Sequence, residues 1–69
     1  MEMTPKAKLL WEVIPKEARP KILNNVWCGR CGVMASIGKV KMTVDGGDLI
    51  LNGICTTCSS PVCRVVEHD

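Results

Sequence analysis

Cys28-Gly-Arg-Cys31 and Cys55-Thr-Thr-Cys58 are two Cys-x-x-Cys pairs separated by 23 residues in a chain of only 69. Two residues between cysteines let both sulfurs of a tight turn reach one ion at about 2.3 Å. Two such turns complete a tetrahedral four-thiolate site, and zinc is the metal that such a donor set implies. The spacer is slightly longer than the usual range for paired Cys-x-x-Cys zinc sites. Its length is explained by its pattern. Val40, Met42 and Val44 alternate with Lys39, Lys41 and Thr43, a period of two that predicts a strand with one dry and one wet face. Asp45-Gly46-Gly47-Asp48 predicts a hairpin turn. Leu49-Ile50-Leu51 begins a returning strand that reaches Cys55. A complete hairpin between the pairs carries the chain out and back to the metal.

A chain of this length needs such a staple. Small domains bury a modest fraction of their surface, and their cores only about offset the entropy of ordering the chain. Here there is no Phe, no Tyr and two Trp. The longest apolar runs are three residues, such as Leu9-Leu10-Trp11, against the roughly 20 that a spanning helix requires. Met1 to Leu10 lacks the continuous apolar segment of a signal peptide. A cytoplasmic location is therefore expected, where thiols stay reduced and metal is favoured over disulfide.

Other four-cysteine chemistry fits less well. Rubredoxin-like iron sites use the same paired turns in acidic, aromatic-rich surroundings, which this chain lacks; an iron electron carrier is the second alternative function. A redox dithiol needs one Cys-x-x-Cys at a helix start in a βαβ setting, and neither pair has that setting. A catalytic zinc keeps one position open for water, whereas four thiolates close the shell. No nucleophile, general base or phosphate loop stands out elsewhere, so no enzymatic activity and no small-molecule substrate are expected.

Thr4-Pro5 reads as an N-cap and first helical residue. Ala7, Leu10, Trp11 and Ile14 then share one helical face, and Pro15 ends the helix. Leu9 and Val13 lie on the opposite side, either as ordinary exposed residues or as a second apolar face for a partner or a twin chain. Residues 15–25 are expected to form a second helix with Ala18, Ile22 and Val26 on one face. Pro20 should kink or restart it, and Asn24-Asn25 is a reasonable exit. Ser59-Ser60-Pro61 predicts another turn, and Val62 to Glu67 a third strand.

The expected architecture is thus a small metal-stabilised α+β unit, a zinc ribbon with a three-stranded antiparallel sheet preceded by one or two short helices. Residues 1–27 form the helical extension and residues 28–69 the ribbon, within one folded unit. From Ile14 to Glu67 the layout resembles small uncharacterised prokaryotic zinc-ribbon proteins. The features that carry the likeness are Asn24-Asn-Val-Trp27, the two cysteine pairs, Gly46-Gly-Asp-Leu-Ile-Leu-Asn-Gly53, and Val62-Cys-Arg-Val-Val-Glu67. The resemblance implies no activity. It implies that Cys63 occupies a strand position filled by a small residue, in line with its reading as a buried hydrophobe; a reactive thiol or a replacement ligand are the alternatives. His68 sits at a chain end prone to fraying and is set outside the site.

The formal net charge is +2. Four thiolates and one divalent ion bring the loaded protein close to neutral, which is not the footprint of a strong nucleic-acid binder. A protein-interaction adaptor, binding another protein or itself, is the function expected first. A nucleic-acid-binding ribbon, as in transcription machinery, is the alternative. The candidate interaction surface comprises Leu9, Trp11, Val13, Trp27, Arg30, Lys39 and Lys41. Trp27 reads either as a lid over the first cysteine turn or as a stacking platform for a base or peptide.

Overall fold

Thr4 opens the first helix in the computed structural model, which describes residues 1–67. Its Oγ1 accepts a hydrogen bond from the Ala7 N–H at 3.2 Å, and Pro5 fills the first turn of α1 (Pro5–Val13). That position suits proline because its missing N–H would have had no intrahelical partner. The helix stops at Ile14, which is extended ahead of Pro15. Ala7 and Trp11 are buried, Leu10 and Ile14 are half-buried, and Leu9 and Val13 face outward.

The second helix is shorter than its sequence suggested. Residues 15–18 make a turn closed by the Ala18 N–H on the Pro15 carbonyl at 2.9 Å. Helix α2 (Arg19–Asn24) then starts afresh with Pro20 in its first turn. The proline is tolerated there for the reason that excludes it from a continuous 15–25 helix. Val26 consequently leaves the face predicted for it. It is buried in a strand, β2 (Val26–Cys28), which pairs antiparallel with β3 (Val33–Ala35).

The main sheet contains β4 (Ile37–Asp45), β5 (Asp48–Cys55) and β6 (Pro61–Val66), paired antiparallel as the alternating pattern predicts. Gly46 and Gly47 take φ of +59° and +85° between the closing pair Asp45 and Asp48. A two-residue hairpin turn with both central residues left-handed favours such a Gly-Gly step. The sheet differs from the expected three strands. A fourth, β1 (Glu2–Met3), pairs parallel to β4 through Glu2–Lys41 and Met3–Met42, giving the order β1-β4-β5-β6. A two-residue strand is too short to carry a periodic signal. The three-residue strands β2 and β3 escaped the sequence pattern for the same reason.

Strand β4 carries a bulge. Its register against β5 shifts between Gly38 and Lys41, and Lys39 sits at φ +49°. The extra residue lets Ile37 and Val40, three apart, both point inward, while Val40 and Met42 keep the ordinary alternation. Across the ladder Gly53 admits the bulge. A Cβ there would overlap the Gly38 carbonyl oxygen and come to 2.8 Å from Cγ1 of Ile37.

The core lies between α1 and the inner face of the sheet. Met42, Leu49 and Leu51 fill its centre, with Ala7, Trp11, Val26, Ile37, Val40 and Val62 around them and Cys28 and Cys55 at one end. Among the described residues no polar or charged side chain is buried in it. The apolar core therefore runs directly into the cysteine cluster.

Candidate metal centre

The two cysteine turns have the same backbone plan. In the first, the Gly32 N–H donates to the Cys28 carbonyl at 2.8 Å. In the second, the Ser59 N–H donates to the Cys55 carbonyl, also at 2.8 Å. The residue after each second cysteine is left-handed: Gly32 has φ +71° and Ser59 φ +61°. Each turn therefore curls its two thiols to one side. In the first turn the Cys31 N–H points at Cys28 Sγ, 3.4 Å away.

These turns converge. The Sγ atoms of Cys28, Cys31, Cys55 and Cys58 all lie within 4.8 Å of one another. Cys28 and Cys58 approach to 3.5 Å, and Cys31 and Cys55 to 3.9 Å. Four sulfurs placed about 2.3 Å from a common centre are about 3.8 Å apart along each edge of their tetrahedron. The observed pairs bracket that value and are far too long for disulfides, so all four are free thiols. Cys28 and Cys55 are buried, while Cys31 and Cys58 are half-buried. The donor set thus fits one thiophilic ion in a closed four-sulfur shell.

The turns hold their protons differently. Hydrogen bonds from the Ser60 hydroxyl and backbone N–H bring the Cys58 thiol down to about 6. Backbone N–H groups of Cys58 and Thr57 lower Cys55. Cys31 is pushed up to about 12, chiefly by its hydrogen bonds with Cys58 and Cys28, each of which favours its protonated form. The second turn therefore favours thiolates, whereas Cys31 of the first favours its protonated form and would have to lose that proton to bind a metal.

The remaining candidate residues are spread over several elements. Trp11 is 8% exposed and belongs to the core, with the Arg19 guanidinium over its ring at 5.6 Å. It is therefore not available as an interaction residue. Leu9 and Val13 are exposed on the far side of α1. Lys41 pairs with Glu2 at 3.5 Å, an exposed contact of little energetic consequence. Lys39 and Lys41 line a shallow groove with Met1, Glu2 and Val40 at the β1 edge, and Arg30 is exposed on the first cysteine turn.

Trp27 is not a lid. It is 59% exposed, because β2 turns its neighbours Val26 and Cys28 inward and alternation sends Trp27 out. Cys63 also departs from expectation. It is exposed and outside the cluster: Val62 takes the inward position on β6, and Cys63 stands across from Asn52 on the outer face. His68 lies outside the described residues. Sequence reading missed Met34, which pairs with Trp27, and Arg64, whose guanidinium reaches from β6 to the Asn25 carbonyl. The short apolar runs flanking Cys28 and Cys31 were the available signal for the β2–β3 hairpin.

The described residues contain no helix long and apolar enough to cross a membrane. No protein-family profile, curated protein or solved structure matches the chain. Fold and site together define a small α+β protein with a four-cysteine metal cluster at one end of its core.

Proposed function

We propose that the chain is a zinc ribbon: a non-catalytic, cytoplasmic protein in which one Zn²⁺, held by Cys28, Cys31, Cys55 and Cys58, stabilises a fold that serves as a protein-interaction adaptor. The observation that carries this reading is the convergence of four thiols within 4.8 Å of one another, two pairs of them close to a tetrahedral edge. Four protein ligands leave no position for substrate or water, so the ion acts as a structural tie between β2–β3 and the β5–β6 junction. Zinc is preferred over iron because the cluster lacks the acidic, aromatic surroundings of a rubredoxin. The adaptor role draws support from the apolar side chains left outside the core on α1 and on β2–β3.

Native mass spectrometry tests the metal reading directly. A colourless protein carrying one zinc per chain is expected, and a red, iron-loaded protein would replace this function with electron transfer. Cys63→Ala should retain the zinc; its loss would overturn the ligand assignment.

A further inference from the structure

The β2–β3 hairpin has features that the metal site does not use. Among the described residues β3 pairs only with β2, so its second edge offers unpaired backbone groups. Its flanking side chains are apolar and exposed on both faces. Trp27 (59%) and Met34 (52%) form a cross-strand pair on one face, and Val33 (56%) projects from the other. Such an open, apolar edge is a template for an added strand.

Charge says what kind of strand. From Ala18 to Val44 the chain carries Arg19, Lys21, Arg30, Lys39 and Lys41 and no acidic residue. Lys41 is paired with Glu2, and Arg19 is engaged with the Ile14 and Glu12 carbonyls. Lys21, Arg30 and Lys39 are exposed and, among the described residues, make no ion pair. They lead into the hairpin, cap its tip and follow it. A second copy is a poor occupant: antiparallel pairing of β3 with its twin, centred on Met34, would bring the Arg30 end of one hairpin to the Lys39 end of the other. The zinc-loaded thiolate site carries two net negative charges, and the five cations of this stretch outnumber them, so an acidic partner is favoured.

The geometry points to β3 as a strand-acceptor edge for an extended acidic segment of another protein, which pairs with the β3 backbone and lays an apolar side chain against Trp27 and Met34. This rests on the interaction-adaptor reading and names its surface and the chemistry of its partner. Backbone pairing supplies the docking, the Trp27–Met34 face an apolar anchor, and Lys21 and Arg30 the preference for acid.

The test is selection from a phage-displayed random decapeptide library on the zinc-loaded protein, with the best sequence then synthesised and titrated by NMR. Enriched peptides should alternate apolar and acidic residues and shift the amides of Val33–Ala35. Trp27→Ala should weaken binding about thirtyfold, and Lys21→Glu with Arg30→Glu about tenfold. These side chains are exposed, so every variant should still carry zinc. Failure to enrich peptides, enrichment of basic ones, or shifts confined to α1 would overturn the proposal. So would tighter binding of an oligo-dT strand, or self-association that protects Val33–Ala35 from hydrogen exchange. Zinc content measured on the same sample separates the two readings. Loaded protein that selects no such peptide sinks the strand-acceptor edge alone, whereas protein that binds no zinc sinks the ribbon.

Discussion

The two cysteine turns share one geometry but stand on different scaffolds. The second, Cys55 to Cys58, joins β5 to β6, whose ladder runs without interruption from Leu49–Val66 to Ile54–Pro61. The first, Cys28 to Cys31, closes a hairpin of two three-residue strands. The better-supported turn accepts the poorer sequence: Ser59 holds a left-handed conformation where the first turn has Gly32. A scaffold that fixes the backbone tolerates a residue that resists it, while a weak scaffold needs a residue that fits. The first turn therefore depends on the metal more than the second does.

Metal removal should break this comparison most clearly. Structural zinc contributes on the order of 10 kcal/mol or more to folding, so Cys31→Ser or chelation should lower the thermal midpoint by tens of degrees, read by circular dichroism. At substoichiometric chelator, the amides of Val26–Ala35 should exchange with deuterium before those of Leu49–Ile54. Equal rates would mean that the two turns are equally supported. The scaffold of the second turn has its own weak point in Gly53. Gly53→Ala forces a Cβ onto the Gly38 carbonyl and should cost about 3 kcal/mol, seen as a lowered thermal midpoint in zinc-loaded protein.

Protons provide a third comparison. Before metal binds, Cys58 of the second turn is ionised above about pH 6, while Cys31 of the first keeps its proton to about 12. Metal uptake must expel that Cys31 proton throughout neutral pH. The apparent affinity should therefore rise with pH between 7 and 9, by about tenfold per unit for this one proton. Cys58 adds a similar dependence only below its value of about 6. For the metal-free fold the signs are opposite. Lowering of Cys58 from 9.0 to about 6 contributes stability that is present above pH 9 and lost as pH falls through 6. Elevation of Cys31 contributes stability that is present below pH 9 and lost as pH rises toward 12. Competition with a chromophoric chelator across this range checks the uptake. A flat profile from 7 to 9 would show that Cys31 is already ionised.

Legibility in the sequence follows length and period. The β4–β5 hairpin could be read because nine- and eight-residue strands display alternation and Gly46-Gly47 marks the turn. The cysteine cluster was readable because its spacing brackets that hairpin. Strands β1, β2 and β3 have two or three residues, too few to repeat anything. The lid reading of Trp27 fails for that reason: its outward direction follows from membership of β2, which only the short apolar runs beside Cys28 and Cys31 hint at. Cys63 was misplaced by composition. Cysteine is usually buried, but Val62 takes the inward place on β6 and leaves Cys63 outside.

The smallest expected effects bear most directly on the two turns, because they should have opposite signs. Gly32 and Ser59 hold equivalent left-handed positions with equivalent 2.8 Å hydrogen bonds. A Cβ at Gly32 meets no atom within 4 Å, so Gly32→Ala introduces backbone strain without a clash. It should cost about 1 kcal/mol, the penalty of an L-residue in this region. Ser59→Gly removes that same strain from the second turn. Its gain should be smaller, about 0.5 kcal/mol, because glycine also enlarges the entropy of the unfolded chain. Both are measured by chemical denaturation of zinc-saturated protein. If Ser59→Gly destabilises by as much as Gly32→Ala, then Ser59 is held by bonds of its own side chain, and the tolerance of the second turn belongs to that residue and not to the ladder beneath it.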